Sequence, residues 1–231
     1  MTGPSNDDLV YSTMAWPTNA AMIADCHRLG YLKDTDVILD PTYGAGAWWR
    51  VWHPPGDYHV IGHQWRQPIP GGVVWSEWLR DDWPLLGTWD FRNMWYQDET
   101  FDAVAFDPPY VCVGGRETTT IRGMHDAYGM GDTPTTPQGV QDDINAGLEE
   151  CWRVVRKGGI VLVKCQSYVS GGKLWPGLFH TFNHATQSCG FQVVDHLTHV
   201  AGPRPQPEGR GPQKHARRNQ SDLLILRRPK R

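Results

Sequence analysis

An α/β domain with a mostly parallel sheet is the architecture this sequence predicts, on three observations. Short apolar runs (37–39, "YHVIGHQW", "FDAVAF", "GIVLVKCQ") alternate with stretches of helical periodicity, as crossover connections between parallel strands require. Two of these runs end on an Asp that opens directly into a glycine or proline loop, "DPTYGAG" and "DPPY". The last two runs, "FQVVDHLTHV" and "SDLLILRR", follow each other with no helical stretch between them, so they are expected to pair antiparallel.

The elements follow in order. Residues 1–11 read as a mobile leader. In "PTNAAMIADCHRLGYL", Ala21, Met22, Ala24, Cys26 and Leu29 form a helical stripe that Thr18 caps and Gly30 ends. The run at 37–39 and "YHVIGHQW" are strands, and "VVWSEWL" is either a third strand or a helix start. Residues 111–139, rich in Gly, Thr and Pro, form a loop longer than compact domains usually keep without a use. "GVQDDINAGLEECWRVVRKGG" is a helix with Ile144, Leu148, Cys151, Trp152 and Val155 on one face and Gly158 as its stop. A buried strand, a helical stretch "LFHTFNHATQSCGF" and the final two strands complete one domain spanning 1–231, with a basic loop at 201–220.

Composition narrows the partners. Residues 203–231 hold nine Lys or Arg against Glu208 and Asp222, a segment of +7 in a chain of −3, which leaves −10 elsewhere. A basic end on an acidic body suits a polyanion held from one side, or a solvated tail. Five widely spaced cysteines without a C-x-x-C pair, and no signal or apolar span, point to a reduced, cytoplasmic protein with no structural metal and no membrane contact. Twelve tryptophans, several clustered (Trp48, Trp49, Trp52), are read chiefly as filling a loop-rich core.

The two Asp loops carry the chemistry. Open parallel sheets bind ligands beyond the carboxyl ends of their strands, where the strand order reverses. The glycines of "DPTYGAG" let backbone N–H groups approach a ligand closely, although Trp49 stands where a dinucleotide fingerprint has its third glycine. "DPPY" fits a task at an aromatic amine, whose lone pair is delocalised into its ring. The Asp107 carboxylate and the Pro108 carbonyl, aimed at the amine hydrogens, favour an attacking geometry and stabilise charge as a methyl group arrives. Proline fixes the backbone so that the aim is set beforehand, and Tyr110 can stack on the base.

In these motifs the chain resembles the amino-group DNA methyltransferases that use S-adenosylmethionine and carry the Asp-Pro-Pro-Tyr signature. The resemblance implies a Rossmann-like class I methyltransferase fold, with a mostly parallel seven-stranded sheet and an antiparallel C-terminal strand. It implies catalytic roles for Asp107, Pro108, Pro109 and Tyr110. "WPTNAAMI" is similar to the family's leading cofactor motif, implicating Trp16, Pro17 and Thr18 with Asn19 beside them. "DPTYGAG" implicates Asp40, Gly44 and Gly46 around the methionyl and ribose parts of the cofactor. "TWDFR" resembles the pattern in which an acid meets the adenine amine and an aromatic packs on the ring, here Asp90 and Phe91. For the ribose, spacing from Asp40 selects Gln64 and chemistry selects Glu77. Motif order and an Asp at the head of the signature lean towards adenine in DNA. An RNA amino group, or an inactive nucleic-acid-binding subunit, is the alternative. With no separate recognition domain in view, the loop bearing Arg116, Arg122, His125 and Tyr128, and the segment bearing Lys214, Arg217 and Arg218, are the candidate nucleic-acid contacts. A recognition partner or a homo-oligomer would supply what they lack. Lys164, ending the strand "VLVKCQ", either meets a phosphate or pairs with an acid.

Overall fold

A computed structural model describes residues 9–43, 46–55, 60–62, 90–110, 112, 134–202 and 213–231. The expectations placed on "VVWSEWL", Gly44, Gln64, Glu77, Arg116, Arg122, His125 and Tyr128 lie outside the described residues, as do residues 1–8, most of the loop 111–139 and half of the loop 201–220.

In chain order the elements are β1 (Thr13–Met14), α1 (Asn19–Arg28), β2 (Ile38–Asp40), a 3₁₀ turn (Ala47–Trp49), β3 (Val60–Gly62), β4 (Phe101–Phe106) and α2 (Pro137–Val154). Then come β5 (Val155–Cys165), β6 (Tyr168–Ser170), β7 (Lys173–Trp175), α3 (Gly177–Asn183) continued by a wider turn (His184–Ser188), β8 (Gln192–Val200) and β9 (Gln220–Arg227). The sheet runs β1-β8-β9-β5-β4-β2-β3. All neighbours are parallel except β9, which is antiparallel to both β5 and β8. The expected count of seven is corrected in kind: six strands make the sheet proper, and the seventh neighbour is the two-residue β1, just after the expected leader, lying along β8.

Strand alternation divides the core in two. Val104 and Phe106 of β4, Val161 and Val163 of β5, and Leu224 and Leu226 of β9 face α2, through Val140, Ile144, Leu148 and Cys151. Ala103, Ala105, Ile160, Leu162, Leu223 and Ile225 face α1, through Met22, Ile23 and Cys26. Helices α1 and α2 each start on a threonine in extended conformation whose hydroxyl accepts a backbone N–H, Thr18 from Ala21 and Thr136 from Gly139. Leu29, expected on the α1 stripe, is exposed.

Three further differences have local causes. Helix α2 begins at Pro137, inside the expected loop, because Thr136 caps it and Pro137 suits a first turn. It ends at Val154 rather than at Gly158, and the chain passes straight into β5. Arg228 explains the stop: its Nη1 donates to the carbonyls of Trp152 (2.8 Å), Arg153 (3.2 Å) and Val155 (2.8 Å), closing the helix end from the last strand. The β6–β7 hairpin, which turns at Gly171 and Gly172 with both φ positive, was not expected at all. Among the described residues no helix is long and apolar enough to cross a membrane.

Candidate active site

Strand order places the candidate site. From β2 the chain moves to β3 on one side, whereas β4 and β5 lie on the other, so the sheet reverses between β2 and β4. These two strands are direct neighbours, with Ile38 opposite Ala103 and Leu39 opposite Val104. Asp40 ends β2 and Asp107 follows β4, so the two loop carboxylates flank the crevice where such sheets bind ligands.

Asp40 is buried and fully engaged. The Trp49 indole donates to its Oδ2 (2.8 Å), and the Thr42 backbone N–H (3.0 Å) and hydroxyl (3.2 Å) reach its Oδ1. Its oxygens therefore brace the loop. Burial still pushes its carboxyl up to about 7 against these donors, and the nearby Asp107 charge adds to the rise. Because the folded pKa lies above the ordinary value of 3.8, the native state binds the proton more tightly across that window. The parent is therefore expected to lose stability relative to Asp40→Asn as pH rises from about 4 to about 7, measured by urea unfolding at several pH values. Parallel pH profiles would refute the shift. Gly46 makes the turn after Asp40, with φ of +65° and no room for a side chain: a Cβ there would lie 2.6 Å from the Tyr43 hydroxyl oxygen.

Asp107 is held from three sides. Its backbone N–H donates to the Thr42 hydroxyl (2.8 Å), so one threonine joins both loops. The Trp48 indole donates to Asp107 Oδ2 (3.0 Å), and Lys164 Nζ stands 3.9 Å from the same oxygen. No donor among the described residues reaches Oδ1. Burial raises the Asp107 carboxyl above the usual range, and Lys164 and then Trp48 offset part of the rise. Lys164 also lies 5.8 Å from the centre of the Tyr110 ring. Of the two roles open to Lys164 in the sequence, pairing with an acid is the one observed. Pro108 is buried, and Pro109 and Tyr110 are half-buried, which gives the signature a fixed path.

No protein-family model matches the chain, and no curated protein does. Solved structures do. One is a protein of Thermus thermophilus assigned as a DNA modification methylase and solved with S-adenosyl-L-methionine: identity is 15%, coverage 61% of this chain and 53% of that one, and the TM-score 0.40. This chain thus spans about half the length of that relative. A protein of Bacillus halodurans assigned as a methyltransferase matches at 15% identity over 90% of this chain and 98% of its own, with a TM-score of 0.51. A Galdieria sulphuraria protein assigned as a sarcosine dimethylglycine methyltransferase matches at 12% identity, 91% and 85% coverage, and a TM-score of 0.53. The fold is the Rossmann-like methyltransferase fold.

On this methyltransferase fold Trp16, Pro17 and Thr18 join the end of β1 to α1. Trp16 is buried, with its indole on Asp25 Oδ2 (2.8 Å) and its carbonyl 2.9 Å from His199 Nε2, whereas Pro17 and Thr18 are exposed. Asp90 is gripped by Arg92, whose Nε and Nη2 reach its two oxygens at 2.6–3.0 Å and whose Nη1 reaches Asp143 on α2 (2.7 Å). Phe91, expected against a cofactor ring, has its own ring 2% exposed and edge-on to Phe106 at 5.3 Å. There it packs beside Gly147 of α2, where an added Cβ would meet both rings. Lys214, Arg217 and Arg218 are exposed on the strand-end side of the sheet that Asp107 also occupies, since β9 starts there beside the end of β5. His215 tethers their segment to the hairpin through Gly172 O (2.9 Å).

Sequence reasoning missed Thr42, Trp48 and Trp49. For Thr42 a signal existed, a hydroxyl two residues after a strand-end Asp. The tryptophans gave none, because a buried indole that fills space and one that donates to a carboxylate look alike in composition.

Proposed function

We propose that the protein transfers a methyl group from S-adenosylmethionine to the exocyclic amino group of adenine in DNA. The observation that carries this reading is the side-by-side placement, across the sheet reversal, of a braced glycine loop and an Asp-Pro-Pro-Tyr loop whose acid, among the described residues, has a donor on one oxygen only. The acidic crevice fits the cofactor, which would supply an electrophilic methyl on a positively charged sulfur. Gly46, the loop that Asp40 braces, Thr18 with Trp16 and Pro17, and Asp90 would hold it, Gly44 and Gln64 being the further candidates from sequence.

The chain's own part is positioning. Asp107 Oδ1 and the Pro108 carbonyl accept the two amine hydrogens and turn the nitrogen lone pair out of the ring plane. As the new N–C bond forms, the methyl–sulfur bond would break and leave its electron pair on sulfur as a neutral thioether, so positive charge grows on nitrogen beside a carboxylate in a poorly solvated site, where its field is strong. A carboxyl raised by burial is also a better acceptor for the proton that nitrogen then loses. Tyr110 faces the base, and Pro109 keeps the loop from relaxing.

The deciding test incubates the purified protein and labelled cofactor with DNA and with RNA, then digests each to nucleosides and identifies the methylated one by mass. N6-methyladenine from DNA supports the reading; a methylated guanine from RNA, or no product despite cofactor binding by calorimetry, refutes it.

Lys214, Arg217 and Arg218 would hold phosphates beside an extruded base, whose unstacking costs a few kcal/mol. Neutralising all three is expected to raise KM for DNA and to flatten its salt dependence by up to about three units of slope. Cofactor affinity should not change. A triple variant that melts earlier with the parental slope would assign these residues to stability instead.

A further inference from the structure

We propose that Lys164 and Trp48 are positioning residues that hold the Asp107 carboxylate by Oδ2 and so leave Oδ1 as the oxygen turned to the target amine. This rests on the function proposed above, but its first readout does not.

Lys164 is out of place by composition. It follows Ile160, Val161, Leu162 and Val163 in a core strand, lies opposite Leu223, and is itself only 5% exposed. An ammonium is rarely taken so far from water unless a counter-charge comes with it, and methionine would fill the space without that cost. The counter-charge is Asp107. Phe106 lies opposite Val163, so the next residue on each strand, Asp107 and Lys164, come side by side. The same ammonium stands near the Tyr110 ring, so a single buried cation contacts both the acid and the aromatic of the signature.

Trp48 reaches the same oxygen from the opposite loop. With a neutral donor and a cation both on Oδ2, rotation of the carboxylate is fixed, and the second oxygen is presented in one direction. The Asp107 backbone N–H on Thr42 fixes the other end of the residue. Among the described residues, the titratable groups that face Asp107 are Lys164 from β5, Asp40 from the end of β2 and Tyr110 from its own loop. Lys164 alone favours the ionised acid by charge. Asp40 opposes it, so losing the lysine would leave two carboxyls in repulsion.

The test uses Lys164→Met, Lys164→Arg and Trp48→Phe in the full chain. The Asp107 carboxyl is followed by NMR with carbon-13-labelled aspartate, its signal assigned by absence from Asp107→Asn. Removing the cation is expected to move the Asp107 titration upward by about one pH unit, the lower end of the effect of an opposite charge at this range. Because transfer needs the ionised acid, the acidic limb of the kcat profile should move upward by the same amount. Lys164→Arg should restore both, and cofactor affinity by calorimetry should stay within about twofold. Trp48→Phe keeps an aromatic ring and removes the indole donor, so kcat should fall about five- to tenfold with KM for DNA little changed. It also tests the same oxygen if Lys164→Met fails to fold. An unmoved Asp107 titration in Lys164→Met, or parental kcat in Trp48→Phe, overturns the proposal. A titration that moves while the parent itself transfers no methyl group overturns the proposed function instead.

Discussion

Asp107→Ala is expected to lower kcat for methyl transfer by roughly 10²–10⁴-fold, the range for a positioned proton-accepting group, while cofactor affinity stays within a few-fold. The separation follows from where the bonds lie. Among the described residues the Asp107 carboxylate meets Trp48 and Lys164, whereas the brace of the glycine loop runs through Asp40, Thr42 and Trp49. Thr42 is joined to the backbone of residue 107, and alanine keeps that N–H. The truncation does leave the Lys164 ammonium buried without its partner, so some stability is lost as well. Single-turnover rates beside calorimetric cofactor titrations separate the effects. Near-parental turnover would remove Asp107 from the chemistry.

Phe106→Ala is expected to cost about 3–5 kcal/mol of stability, the usual range for emptying a buried aromatic site. The ring is fully buried, meets Phe91 edge-on, and lies against Gly147 of α2. That closeness is visible at Gly147, where an added Cβ would fall 2.4 Å from Phe106 Cζ and 2.9 Å from Phe91 Cδ2. Gly147→Ala should therefore destabilise the parent by about 1–3 kcal/mol through overpacking, less the gain of about 1 kcal/mol from replacing a helical glycine. In the Phe106→Ala background the same substitution should become neutral or favourable, because the methyl enters the space the ring leaves. Urea unfolding of the four proteins closes the cycle. Additive costs would mean that helix and ring do not share this volume.

What could be read from the sequence was whatever depends on local pattern. Apolar runs of strand length ending on Asp40 and Asp107 located both loops, and an unbroken pair of closing strands announced the antiparallel β9. Contacts between distant residues were not legible. Arg228 ends α2 from across 73–76 residues, and no property of "VVRKGG" shows that the chain will turn from helix to strand before its glycines. Lys164 could be placed at a strand end but not next to Asp107, since that needs the β4–β5 register. Phe91 was read from a motif, which could not show that its ring also packs on Phe106 beside the small residue Gly147 of α2. The hairpin was a missed signal of another kind. "YVSGGKLW" carries Gly-Gly between two three-residue runs, the mark of a two-residue turn, yet it sits among loop-like residues that hid it.

Trp48 and Trp49 are neighbours in the chain, yet they serve different strands. A 3₁₀ turn rotates about 120° per residue, which sends consecutive indoles to different carboxylates, Trp48 to Asp107 and Trp49 to Asp40. The arrangement depends on counting. One residue inserted between Asp40 and the turn would rotate each ring to its neighbour's bearing and leave one acid with the wrong donor or none. A substitution at the exposed Ala47 can drift with modest loss, but the length of this segment cannot. Among descendants of this chain, gaps and insertions should therefore collect elsewhere, and the interval from Asp40 to Trp49 should keep its span even where its letters change.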